Sequence, residues 1–116
     1  MTAKEPAAKM VLSNVSRAGV VAFSKTLSKE IQSSGITVNS ILTGSVLTDR
    51  LLQLIKLNHK NKSKQALKSL ANSIPVKRIS DPKEFSQLVL FLCTDNASFI
   101  NGNAIPVDGG LSKAIF

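Results

Sequence analysis

Two short runs rich in β-branched residues, Ile36–Leu42 and Ala104–Val107, flank a long stretch whose apolar residues recur at helical spacing. A chain ordered strand, helices, strand needs a crossover. The crossover lays its two strands side by side, parallel and joined right-handedly. That sets the class as α/β. Pro106 removes one backbone donor from the second run, so this strand belongs at an edge or in a register that spares the site. Two strands make a thin sheet to stand alone.

The remaining elements follow in order, with no internal repeat. Residues 1–10, with Pro6, form a lead-in loop. A first helix is expected over 11–33, with Val15, Ala18, Gly19, Ala22, Thr26 and Leu27 inward and Lys25, Lys29, Glu30 and Gln32 on the wet face. The small Ala18, Gly19 and Ala22 would let a neighbour approach closely. Ser33-Ser34-Gly35 stops the helix, the glycine suiting a left-handed C-terminal position. Residues 43–49 form a loop at the carboxyl end of the first strand, where open α/β sheets bind ligands. Thr48 or Asp49 caps a second helix carrying Leu51, Leu52, Leu54, Ile55 and Leu57. The pattern weakens over 58–64, read as a mobile polar junction, and recovers through Ala66, Leu67, Leu70 and Ala71 until Ile74-Pro75 ends it. Asp81-Pro82-Lys83-Glu84 starts another helix, with Asp81 at the cap and Glu84 as its capping-box partner. Phe85, Leu88, Val89 and Leu92 are its expected buried stripe. Asn101-Gly102 turns into the last strand, and Asp108-Gly109-Gly110 closes it.

At 116 residues the chain is one domain with a modest core. No segment matches a membrane span, and residues 1–6 do not resemble the apolar region of a signal peptide. With one cysteine a disulfide framework is excluded, and Cys93 is expected to be a buried thiol in a cytoplasmic protein. The net charge of +8 raises a nucleic-acid reading. Against it, five Phe with no Tyr or Trp give no stacking platform, and Lys56, Lys60, Lys62, Lys64 and Lys68 read first as a solvated face. His59 among these lysines reads as solvated, Asp49 and Asp108 as cap and turn residues, and no Cys/His cluster suits a metal.

The chemistry-bearing pair is Ser13 and Arg17. At i, i+4 both leave one face of the helix, a turn apart, where an enzyme could place a proton donor and a cation. The plainer alternative makes Ser13 a helix-start cap.

Four ordered segments are similar to the C-terminal half of a short-chain dehydrogenase/reductase of the 3-oxoacyl-[acyl-carrier-protein] reductase type. Ser16-Arg17-Ala18-Gly19 with Lys25, Leu27 and Glu30 resembles that family's active-site helix. Residues 35–41 with Gly44 and Thr48 resemble its next strand and cofactor loop. Ile74-Pro75-Val76-Lys77-Arg78 with Pro82 and Glu84 resembles the segment after the substrate lid. Asn101-Gly102 through Val107-Asp108-Gly109-Gly110 resembles the closing strand. The resemblance spans residues 4–112. It implies part of a Rossmann-like, doubly wound parallel sheet over 1–116, two strands with four to five helices.

The departures are equally definite. The family's catalytic Tyr and Lys, four residues apart, are replaced by Ser13 and Arg17. A serine hydroxyl lacks a phenol's acidity, whereas Arg17 keeps charge and donors for a ribose hydroxyl. The family's catalytic serine falls at or ahead of Met1, and Thr2 is a poor stand-in. No glycine-rich phosphate loop is present. The resemblance therefore implies NAD(P) contact at the nicotinamide end only, through Arg17, Gly44, Val46 and Thr48, and no tight binding by this chain alone. It implies a small carbonyl or alcohol substrate if active, and a chain that is a truncated reading frame or one half of a split protein, inactive in isolation. The alternative is a non-catalytic assembly module that pairs with itself, with an intact relative or with a complementing N-terminal half. Neither reading calls for a membrane partner.

Overall fold

The computed structural model describes residues 2–115; Met1, against which the family's serine position falls, and Phe116 lie outside the described residues. Six principal elements follow: α1 (Val11–Glu30), β1 (Ser40–Thr43), α2 (Asp49–His59), α3 (Ser63–Ser73), α4 (Pro82–Leu92) and β2 (Ala104–Val107). Single 3-10 turns lie at Gln32–Ser34, Lys60–Lys62 and Asp95–Ala97. β1 and β2 pair in parallel, Ser40 with Ala104 through Thr43 with Val107, as the crossover argument requires.

The helix ends were largely set by local chemistry. Asp81 accepts from the Lys83 amide at 2.8 Å, while Glu84 reaches back to the Asp81 amide at 2.8 Å, closing the box around Pro82. Gly35 ends the turn after α1 with φ +73°, a conformation that disfavours a side chain. Thr48 rather than Asp49 caps α2, its hydroxyl accepting from the Leu51 amide at 3.3 Å. Asp108 is a turn residue: its carboxylate accepts from the Gly110 and Ser112 amides, both at 2.9 Å.

The first strand is shorter than its β-branched run and shifted towards Thr43. Opposite residues 36–39 the chain turns at Asn101-Gly102, so asparagine side chains take over from the ladder. Asn101 Oδ1 accepts from the Val38 amide at 2.8 Å, and Asn39 bonds the Ile100 carbonyl and the Asn103 amide at 2.7 and 3.1 Å. The same turn anchors α1: Lys25 Nζ donates to the Gly102 carbonyl at 2.8 Å and Asn101 Nδ2 to the Ser28 carbonyl at 3.1 Å.

Burial departs most from the pattern. Among the described residues only Ser28, Leu42, Ile55, Ile74 and Ala97 are buried. The side of α1 facing the strand runs Arg17, Val21, Ser24 and Ser28, so Val15, Ala18, Gly19, Ala22 and Thr26 lie exposed, and a Cβ on Gly19 would meet nothing within 4 Å. Val89 is exposed where a buried stripe was expected, although Phe85, Leu88 and Leu92 are half-buried. Cys93, expected to be buried, is exposed too. Each of these positions carries a residue suited to cover, and no described element covers it. The radius of gyration, 16.1 Å, exceeds the roughly 13 Å of a closed domain this long.

Two stability outcomes follow. Ile74→Ala removes the most enclosed large side chain, 2% exposed, and should cost about 3 kcal/mol in urea unfolding; a loss within error would show that no core exists there. Glu84, gripped by Arg78 Nη1 and Nη2 at 2.7 and 2.6 Å, has its pKa drawn down to about 2 by that bonding and by the Asp81 amide. A depressed carboxyl pKa stabilises the fold above its unfolded value and loses that contribution as pH falls towards about 2. The urea midpoint should fall over that window in the wild type, and Glu84→Gln should flatten the profile.

Candidate functional site

Helix α1 at Arg17 and the carboxyl end of β1 meet across a cleft of about 510 Å³. Its walls are Ala3 of the leader, Arg17, Val20, Val21 and Ser24 of α1, and the edge of β1 from Asn39 to Gly44. Arg17 Nη1 bonds the Ser13 hydroxyl and, at 3.4 Å, the Ser13 carbonyl. Ser13 lies inside the first turn behind Met10, the capping position, so it is not a cap. Because the hydroxyl oxygen accepts from a guanidinium, its own proton remains to be donated. The pair is held in place by the leader, since Asn14 grips the Ala7 carbonyl at 2.9 Å and the Ala7 amide at 3.3 Å.

Gly44 closes the far wall. Its amide donates to the Val107 carbonyl at 2.9 Å, and a Cβ there would lie 2.5 Å from the Asp108 Cα. A side chain at 44 would therefore force the two strand ends apart. Val46 and Thr48 lie beyond the cleft lining. Val46 bridges in parallel to Ser80, and its carbonyl accepts from the Thr48 amide at 2.9 Å. Thr48 spends an oxygen lone pair on the α2 cap and keeps its proton. The structure thus brings Arg17 and Gly44 into one cleft, holds Ser13 on Arg17 outside the cleft lining, and leaves Val46 and Thr48 one loop away. Ser24 and Asn39 join the cleft without having been singled out. The i, i+4, i+7 series Arg17, Val21 and Ser24 was the signal that could have found the first.

The cleft is two things end to end. Ser40 and Gly44 turn their amides towards β2, donating to the Asn103 and Val107 carbonyls at 2.8 and 2.9 Å. By strand alternation Ile41 and Thr43 aim theirs at the opposite edge, along the groove. No described strand pairs with this edge of β1. Arg17 and Gly44 both line the cleft at its polar end. Near the leader, Thr2 Oγ1 is buried without a hydrogen-bond partner, a donor whose acceptor is not among the described residues.

Lys56, Lys62, Lys64 and Lys68 are exposed on the α2–α3 hairpin, away from the cleft, as is His59; the Lys60 side chain lies outside the described residues. No described group of His, Cys, Asp or Glu could hold a metal, and no described helix is long and apolar enough to cross a membrane.

A family model described as enoyl-(acyl carrier protein) reductase matches residues 1–112. The NADPH-dependent reductase BacG of Bacillus subtilis is 35% identical over 97% of this chain. L-sorbose reductase from Gluconobacter frateurii, solved with NADPH and L-sorbose, superposes with a TM-score of 0.92 at 32% identity over 99% of this chain. An NADPH-bound short chain oxidoreductase from Pseudomonas aeruginosa, described as containing an atypical catalytic center, gives 0.83 at 30% identity over 97%. The chain spans less than half of each, 44%, 45% and 43% respectively.

Gly44→Ala should break the junction at the mouth, costing about 1–3 kcal/mol and shifting the Val107 and Asp108 amide resonances. An unchanged spectrum would contradict the close approach.

Proposed function

Because this chain belongs to the short-chain dehydrogenase/reductase family, we propose that it forms the nicotinamide-facing portion of an NADPH-dependent carbonyl reductase. The single observation behind this reading is that Arg17 and Gly44, far apart in sequence, face each other across one cleft mouth at the carboxyl end of β1. The residues suit one end of the nucleotide. Arg17 offers a charged fork for a ribose hydroxyl, Gly44 leaves room for a flat ring against backbone, and the loop of Val46 and Thr48 offers backbone and hydroxyl groups to a carboxamide. Nothing in the chain resembles a pyrophosphate cradle. A companion segment bearing the glycine-rich loop therefore supplies the other end, with one of its strands in the groove along β1.

When bound, NADPH supplies the hydride. Ser13, its oxygen held by Arg17 beside the cleft, keeps a proton that would polarise a substrate carbonyl extending past Arg17. An alcohol beside one cation does not approach a phenol's acidity, so the proton that completes the alcohol product comes from water at the open mouth. The relative with an atypical catalytic center supports an NADPH site that departs from the usual arrangement.

A second reading, an assembly module, is favoured by one observation. Val11, Leu12, Val15 and Phe23 lie exposed along α1 outside the cleft, more apolar surface than one soluble helix ordinarily leaves open. Sedimentation at increasing concentration separates the two, since a module sufficient for assembly forms a defined oligomer unaided.

Reduced nicotinamide mononucleotide, which lacks the adenylate end, tests the first reading directly. Titrated into the isotope-labelled chain it should bind weakly, with a Kd on the order of 1 mM or above, and shift Arg17, Thr43 and Gly44. Arg17→Ala should weaken it about tenfold, the loss of one charged hydrogen bond, while Arg17→Lys retains most of it. Shifts confined to the lysine hairpin would sink the reading.

A further inference from the structure

The two ends of the described chain meet at a carboxylate. Glu5 Oε1 accepts from the Ser112 hydroxyl at 3.0 Å, from the Ala114 amide at 2.6 Å and from the Lys113 amide. Asp108 holds the other side of the same tail through the Ser112 amide at 2.9 Å. The tail therefore wraps two carboxylates with consecutive backbone donors, and one of them comes from more than a hundred residues away.

The leader that carries Glu5 is also a wall of the cleft. Ala3 lines it together with Arg17, and Asn14, beside Ser13, grips Ala7. Between those points Pro6 shortens the leader's freedom. The leader thus has two anchors, Asn14 at its helix end and Glu5 on the tail, and only the second ties it to the sheet through Asp108.

We propose that Glu5 is a positioning residue: its carboxylate clasps residues 112–114 to the leader and so fixes where Ala3, and Arg17 beyond the Asn14 anchor, stand in the cleft lining. Ionised, it accepts three donors at once; protonated, it loses acceptor capacity and the clasp loosens. The charged groups around it are Lys113 on the tail, Asp108 at the turn and its neighbour Lys4. The bonding from Ser112 and the tail amides holds the Glu5 carboxyl below the usual range, so the clasp is complete at neutral pH and opens as pH falls through that lowered value. The consequence for catalysis rests on the cleft being the nicotinamide site, but the clasp does not, and its test uses no nucleotide.

The test follows the amides of Ala3, Lys113 and Ala114 and the Arg17 side-chain Nε–H of the full chain by NMR from pH 7 to 3. All four should move with one midpoint below the ordinary glutamate value of about 4.3. Glu5→Gln, which keeps the shape, should abolish that shared transition and speed Ala114 amide exchange roughly tenfold. Should Glu5→Gln not fold, the wild-type titration decides alone. If the tail amides titrate while Ala3 and Arg17 stay still, Glu5 is a local cap and the proposal falls. It falls equally if Ala114 exchange is unchanged in the variant. Failure of nicotinamide mononucleotide to bind would leave these four signals as they are, so the two proposals fail separately.

Discussion

A four-residue parallel ladder between β1 and β2 is the constraint on which everything else depends. It joins residues from the middle and end of the chain, and its amino-terminal side is completed by asparagine side chains instead of further strand. Asn39 and Asn101 each bond backbone on the opposite segment, so the turn at Asn101-Gly102 locks the register. Lys25 and the Ser28 carbonyl then bring α1 to the same turn. Arg17 reaches the far end of β1 because α1 is pinned at its other end by these bonds. The site is a product of that lever.

Only one side of the ladder is used. The amides of Ile41 and Thr43 point to a groove whose other wall is α1, and the described residues offer no strand to fill it. Unpaired strand edges attract further strands, whether from a proper companion or from another copy. The chain spans less than half the length of the relatives it matches. The same geometry explains the elongated shape and the small number of enclosed side chains.

Much of this was legible in the sequence wherever a feature is local. Asp81 through Glu84 carries its own capping bonds, Gly35 its own left-handed turn, and the crossover order its own parallel pairing. The contact between Ser13 and Arg17 was readable from i, i+4 spacing, and the position of Gly44 from its place after the strand. What misled was burial. Cys93 and Val89, like Val15 and Ala18 on α1, are the residue types of covered faces, and a covered face needs a second surface that spacing cannot supply. The truncated start of β1 was hidden for another reason: residues 36–38 have strand composition, but the segment opposite them is a turn. Glu5 gave no signal at all, because its three donors lie at the far end of the chain.

Hydrogen exchange along β1 measures the central claim most directly. The chain is compared alone and mixed with the glycine-loop portion of a relative such as the Bacillus subtilis reductase. If the groove is a strand's place, Ile41 and Thr43 exchange quickly in the chain alone, become protected in the mixture, and NADPH binding appears with that protection. Slow exchange of these two amides in the monomeric chain, or NADPH bound tightly without the added portion, would contradict the account.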